Sequence, residues 1–149
     1  MDFELQDHIV LGFNNSTTKE ENETIINFYD KYFPNANTNI MKSDESETMK
    51  LFCNTFYSVK VQVFSEFYLY CKKMNLDYEI IKKSMLANEL ISPEHTDIPG
   101  KDKKLSYGGP CLPKDSIATN TLFKNNNIDG AIIDACVCES KKIRDYALE

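Results

Sequence analysis

The sequence predicts a mainly α protein built on one long helix, with a small α/β piece at its N-terminus. Three observations carry this. No proline or glycine interrupts the chain from Ser43 to Met74, a stretch rich in apolar residues. Four of the five prolines and three of the five glycines fall between Glu89 and Pro113. Only two short runs, His8–Phe13 and Thr38–Met41, read as strands. At 149 residues, with 42% hydrophobic and 27% charged residues, the chain has the length and composition of one folded domain.

The elements follow in order. His8-Ile9-Val10-Leu11-Gly12-Phe13 is a short apolar run ending in an Asn-Asn-Ser-Thr-Thr turn, as a buried strand would. Thr17 or Thr18 caps a helix in which Glu20, Glu21 and Glu23 favour the positive end; Ile25, Ile26, Phe28, Tyr29 and Phe33 recur at helical spacing until Pro34. A strand–helix–strand piece this small leaves two sheet edges open and is expected to be the end of something larger. Ser43 or Asp44, with Glu45 and Glu47, opens the long helix. Its apolar residues, among them Phe52, Phe56, Val59, Phe64, Phe67 and Tyr70, cover more than one face, which predicts either a central core helix or one shared with a second subunit. Asp77 caps a shorter helix carrying Ile80, Ile81, Met85 and Leu86. Glu89–Pro113 is a long loop, of a length that usually binds something. Asp115 or Ser116 is expected to cap a helix to about Lys124, and Ala131–Ala147 to form the last one.

The formal net charge of −6 argues against a broad nucleic-acid-binding face. No apolar run approaches the ~20 residues of a membrane span. Met1–Asp7 lacks the basic start and apolar stretch of a secretory signal, and five cysteines, an odd number, suit a reducing compartment, so a cytoplasmic protein is expected. Two histidines, His8 and His95, are too few and too far apart to suggest a metal, and Cys136 and Cys138 would point about 200° apart on a helix, so no metal site is expected.

The chemistry-bearing stretch is Ser106-Tyr107-Gly108-Gly109-Pro110-Cys111-Leu112-Pro113-Lys114-Asp115. Gly108 and Gly109 permit a tight turn or close approach to a ligand, Pro110 and Pro113 fix φ, and Cys111 is presented just before a helix. A thiol at the positive end of a helix, beside Lys114, is set as an activated nucleophile, and Asp115 four residues later can orient a water or take a proton. The same residues are compatible with a structural thiol. Lys50 and Asn54, at i and i+4, place an ammonium and an amide one turn apart, a pair suited to an oxyanion. A solvent-facing lysine and an asparagine bonded to the helix backbone is the alternative.

Lys50-Leu51-Phe52-Cys53-Asn54-Thr55 followed by Tyr107-Gly108-Gly109-Pro110-Cys111-Leu112-Pro113-Lys114-Asp115 resembles the nucleotide-sugar 6-dehydrogenases, the UDP-glucose/GDP-mannose dehydrogenase family. There a helix carrying K-x-x-x-N and a loop carrying G-[FY]-G-G-x-C-[FL]-P-K-D converge on the sugar C6. The resemblance implies that residues 1–42 are the C-terminal remnant of a Rossmann-like NAD-binding domain. Residues 43–149 would then be the helical central domain carrying the Cys loop, dimerising through the Ser43–Met74 helix. It implies oxidation of the C6 alcohol of a UDP- or GDP-hexose to the acid, with NAD as cofactor. Cys111 would form a thiohemiacetal and then a thioester, Lys50 and Asn54 would hold the oxyanion, and Asp115 would assist the releasing water. Tyr107, Gly108, Gly109 and Lys114 would bind substrate.

No G-x-G-x-x-G occurs, so the cofactor site is expected outside this chain, which would be truncated and inactive alone. Ser106 stands where the family has the first glycine of its loop, and Asn88-Glu89-Leu90-Ile91 where it has D-x-R-I. The second reading is a non-catalytic helical dimerisation module derived from the same family.

Overall fold

The computed structural model describes residues 6–144. Its elements are β1 (His8–Phe13), α1 (Lys19–Tyr32), β2 (Asn37–Lys42), α2 (Ser43–Lys73), α3 (Tyr78–Leu86), α4 (Leu112–Asn125) and α5 (Ala131–Ile143). The architecture is therefore mainly α with one small α/β piece, as the sequence predicts. The described residues form two compact units, divided between Lys50 and Leu51.

In the first unit β1 and β2 pair in parallel, from His8 opposite Asn37 to Phe13 opposite Lys42. Parallel strands need a crossover, and α1 supplies it. Its N-terminus is a complete capping box. The Thr18 hydroxyl accepts from the Glu21 N–H at 3.2 Å, and the Thr18 N–H donates to the Glu21 carboxylate at 2.8 Å. Those bonds hold the Glu21 carboxyl below its usual value. Ile9, Leu11 and Phe33 form the core of this unit, with Phe13, Ile26, Tyr29 and Ala36 against it.

The second unit is organised by α2, whose 31 residues span about 46 Å at 1.5 Å per residue. Val61, Phe64 and Cys71 from α2 meet Tyr78 of α3, Cys136 of α5, and Ile98, Leu105 and Tyr107 of the long connection between α3 and α4. That connection has no regular structure but is packed: Leu105 is fully buried, the Tyr78 hydroxyl donates to the Thr96 carbonyl at 2.8 Å, and Lys60 donates to the Ser92 carbonyl at 2.5 Å. Burial pushes the Tyr78 phenol up to about 12.

The structure differs from expectation at three places. Helix α4 begins at Leu112, because Pro113 in its first turn has the right φ and no N–H to satisfy, so neither Asp115 nor Ser116 is the cap. Ser116 instead donates back to the Leu112 carbonyl at 2.8 Å. Helix α5 is described only to Ile143, and the expected extension to Ala147 lies outside the described residues beyond Arg144, as do Met1–Leu5 of the N-terminal reading. Their places on predicted helices with apolar faces lead one to expect Cys53, Cys71, Cys136 and Cys138 all buried, but only Cys71 and Cys136 are; Cys53 is half-buried and Cys138 is exposed. The 200° between positions i and i+2 that argued against a chelating pair also turns Cys138 outward. The third is α2, where the face turned to α4 and the loop is polar: Thr55, Ser58, Gln62 and Ser65 are all buried.

Candidate functional site

Helix α4 positions the site. Cys111 is its N-cap residue, exposed, and its carbonyl accepts from the Asp115 N–H at 3.0 Å. Asp115, one turn on, is 4% exposed and points back at α2. Asn54 donates to Asp115 Oδ2 at 2.6 Å, and Lys114 Nζ reaches Oδ1 at 2.5 Å. The Asp115 contact raises the Lys114 ammonium above its ordinary value, with the Cys111 sulfur adding a smaller attraction.

The polar stripe of α2 ties the site to the long helix. Thr55 Oγ1 donates to Thr119 Oγ1 at 2.8 Å, and Ser58 Oγ donates to the Asn54 carbonyl at 2.9 Å, with a longer approach to the Leu112 carbonyl at 3.4 Å. Ser65 Oγ accepts from the Ser106 N–H at 2.9 Å, and Gln62 Oε1 accepts from the Ser106 hydroxyl at 2.7 Å. Sequence reading missed these residues. The signal was there: Thr55, Ser58, Gln62 and Ser65 recur at helical spacing as a polar stripe in an otherwise apolar helix.

The two glycines of the loop sit in different surroundings. Gly109 has φ +78°, in the left-handed region, with open space around it, so its need is conformational. At Gly108 a Cβ would meet the guanidinium of Arg144, the far end of a flexible side chain, which would have to shift. Ser106, where the resemblance has glycine, keeps a left-handed φ of 59°. Tyr107 is 5% exposed, packed in the core with its hydroxyl 3.3 Å from Ser116 Oγ, and burial raises its phenol. Burial likewise raises the neighbouring Cys136 thiol.

The structure thus brings Cys111, Lys114, Asp115 and Asn54 together. Tyr107 supports the loop from within. Lys50 is exposed, four residues before Asn54 on α2 and the last residue of the first unit. Among the described residues no cluster of three His, Cys, Asp or Glu side chains is placed to hold a metal, and no helix is long and apolar enough to cross a membrane.

Comparison with known proteins gives the chain a family and a fold neighbour. The sequence model of the UDP-glucose/GDP-mannose dehydrogenase family, central domain, matches residues 44–139. A UDP-glucose 6-dehydrogenase of Rickettsia bellii is 30% identical over 143 residues, which are 95% of this chain and 31% of that protein. One of Campylobacter jejuni is 36% identical over 125 residues, 82% of this chain and 30% of that protein. The chain therefore spans about a third of the length of these relatives. A solved structure of a UDP-glucose dehydrogenase from the hyperthermophilic archaeon Pyrobaculum islandicum superposes with a TM-score of 0.76 over 91% of this chain and 29% of that one; at 22% identity it speaks to the fold.

Proposed function

This chain belongs to the UDP-glucose/GDP-mannose dehydrogenase family, and from that premise we propose that it carries the cysteine arm of an NAD-dependent nucleotide-sugar 6-dehydrogenase acting on a UDP- or GDP-hexose. The observation that carries this is the convergence of α2 and α4: Asn54 and Asp115, 61 residues apart in sequence, meet at 2.6 Å beside the exposed Cys111.

In the proposed chemistry the Cys111 thiolate adds to the C6 aldehyde carbon, and the carbonyl π electrons pass to oxygen. The Asn54 amide, aimed into the site by Asp115, donates to that oxygen; Lys50 is proposed as a second donor on the strength of its i, i+4 relation to Asn54. At the thioester stage, water adds to the carbonyl carbon and gives its proton to Asp115; the C–S bond breaks and the thiolate leaves. Lys114 balances the Asp115 charge. Tyr107, Gly108 and Gly109 shape the backbone wall against which the sugar would lie.

A dinucleotide does not fit the one βα turn of the described residues. Asn14-Asn15-Ser16-Thr17-Thr18 contains no glycine, and the Thr18 and Glu21 N–H groups at the start of α1 are engaged by the capping box, beside the carboxylates of Glu20 and Glu21. Hydride transfer is therefore assigned to none of these residues. The proposal extends to a homodimer through α2, where Phe52, Phe56, Phe67 and Tyr70 are 41–66% exposed.

The test is protection of Cys111. Incubation of the chain with the C6 aldehyde of UDP-glucose is expected to slow alkylation of Cys111 by iodoacetamide and leave Cys138 unchanged. Equal labelling of Cys111 with and without the aldehyde would contradict the proposal.

A further inference from the structure

The nucleophile loop has a support that no part of the proposed chemistry uses. Arg144, at the C-terminal end of α5, extends under the Leu105–Gly108 segment. Its Nη1 donates to the carbonyls of both Leu105 and Ser106, each at 3.1 Å, and its Nη2 pairs with the Asp102 carboxylate. In an extended chain successive carbonyls point to opposite sides. At Ser106 the chain takes the left-handed region, and both carbonyls face the same guanidinium.

That conformation is disfavoured for a non-glycine residue and persists only where the surroundings over-determine it. Here they do. Ser106 is held through its N–H by Ser65, through its hydroxyl by Gln62, and through its carbonyl by Arg144. The guanidinium also occupies the space that a Cβ on Gly108 would take. Between Gly108 and Cys111 lie only Gly109, with its φ of +78°, and Pro110, whose φ is fixed by its ring. Few torsions separate the anchored segment from the thiol, so what fixes residues 105–108 fixes where Cys111 is presented.

We propose that Arg144 is a positioning residue for Cys111, acting through the Leu105 and Ser106 carbonyls and the side-chain-free Gly108. This rests on the reading of Cys111 as the nucleophile.

The test uses the full 149-residue chain and Cys138, the other exposed thiol, as an internal standard. In Arg144→Met the ratio of Cys111 to Cys138 alkylation by iodoacetamide is expected to fall at least about threefold, and amide exchange across residues 105–111 to rise. Arg144→Lys is expected to recover part of the ratio, since an ammonium reaches one carbonyl but not two carbonyls and a carboxylate. Gly108→Ala provides a second route should Arg144→Met fold poorly, because the added methyl meets the far end of a flexible side chain and displaces it. Its effect on the ratio is expected to match that of Arg144→Met, and the double variant to be no worse than either. A fast Cys111 untouched by Arg144→Met, or single effects that multiply in the double variant, would overturn the positioning role alone. Cys111 no faster than Cys138 in the unsubstituted chain would overturn the nucleophile reading and the positioning role with it.

Discussion

Asn54 of α2 donates its side-chain amide to the buried carboxylate of Asp115 in the first turn of α4 at 2.6 Å, while the second oxygen of that carboxylate is held by Lys114 at 2.5 Å. The two contacts differ in worth. Asn54 is half-buried, whereas the Lys114 side chain is 63% exposed and its charge is screened. Asn54→Ala is expected to cost about 2 kcal/mol, the range for a hydrogen bond to a charged group, and Lys114→Ala distinctly less, because its charge is exposed to solvent. Urea unfolding of both variants checks the order; equal losses would contradict it.

Ser106 gives a sharper comparison. Ser106→Ala keeps the left-handed φ and leaves the 3%-exposed Gln62 without its hydroxyl donor. Ser106→Gly loses the same bond but relieves about 1 kcal/mol of backbone cost, part of which returns as unfolded-state entropy. Glycine is therefore expected to be the more stable replacement by about 0.5 kcal/mol, read from the urea midpoints. Alanine at or above glycine would contradict the assigned conformation.

The pairing of Arg144 with Asp102 sets a pH dependence. The Arg144 hydrogen bond, with a smaller contribution from the Lys104 N–H, holds the Asp102 carboxyl below its usual value. A depressed folded value means that the contribution is complete above the unfolded value, near pH 4, and is lost as pH falls through the folded one. Glu21, Glu94 and Asp134 are lowered too, so the informative quantity is a difference. The stability gap between the unsubstituted chain and Asp102→Asn is expected to narrow as pH falls from 5 through about 3; a gap constant over that range would contradict the pairing.

The exposed aromatic residues of α2 predict association. Phe56 is 66% exposed and Tyr70 61%, on a helix whose opposite face is already engaged by α4 and the loop. Sedimentation at micromolar concentration is expected to give twice the 17.2 kDa of the chain, and Phe56→Asp to return it to 17.2 kDa. A monomer in the unsubstituted chain would exclude the α2 interface.

Sequence carried much of the architecture where local rules act alone. The threonine cap of α1, the Asp77 cap of α3 and the uninterrupted α2 each depend on residues close in the chain, and the structure has all three. Two features depended on distant partners, and local pattern alone gave them no role. The polar stripe from Thr55 to Ser65 looks like ordinary surface until the loop at Ser106 is laid on it. Arg144 lies 36 residues from Gly108, and only the fold shows that the glycine is bare because the guanidinium fills its space. Within the site, Cys111, Lys114 and Asp115 were found through their motif, whereas the bond between Asp115 and Asn54 required the packing of α2 on α4.

Whether the loop presents Cys111 as a nucleophile is read from the alkylation rates of all five cysteines by iodoacetamide at neutral pH, resolved by peptide mapping. Cys71 and Cys136 are buried and Cys53 is half-buried, so exposure alone would leave Cys111 and Cys138 equal. At a helix N-terminus beside Lys114, Cys111 is expected to react about tenfold faster than Cys138. Cys138 labelling as fast as Cys111, or faster, would contradict the account.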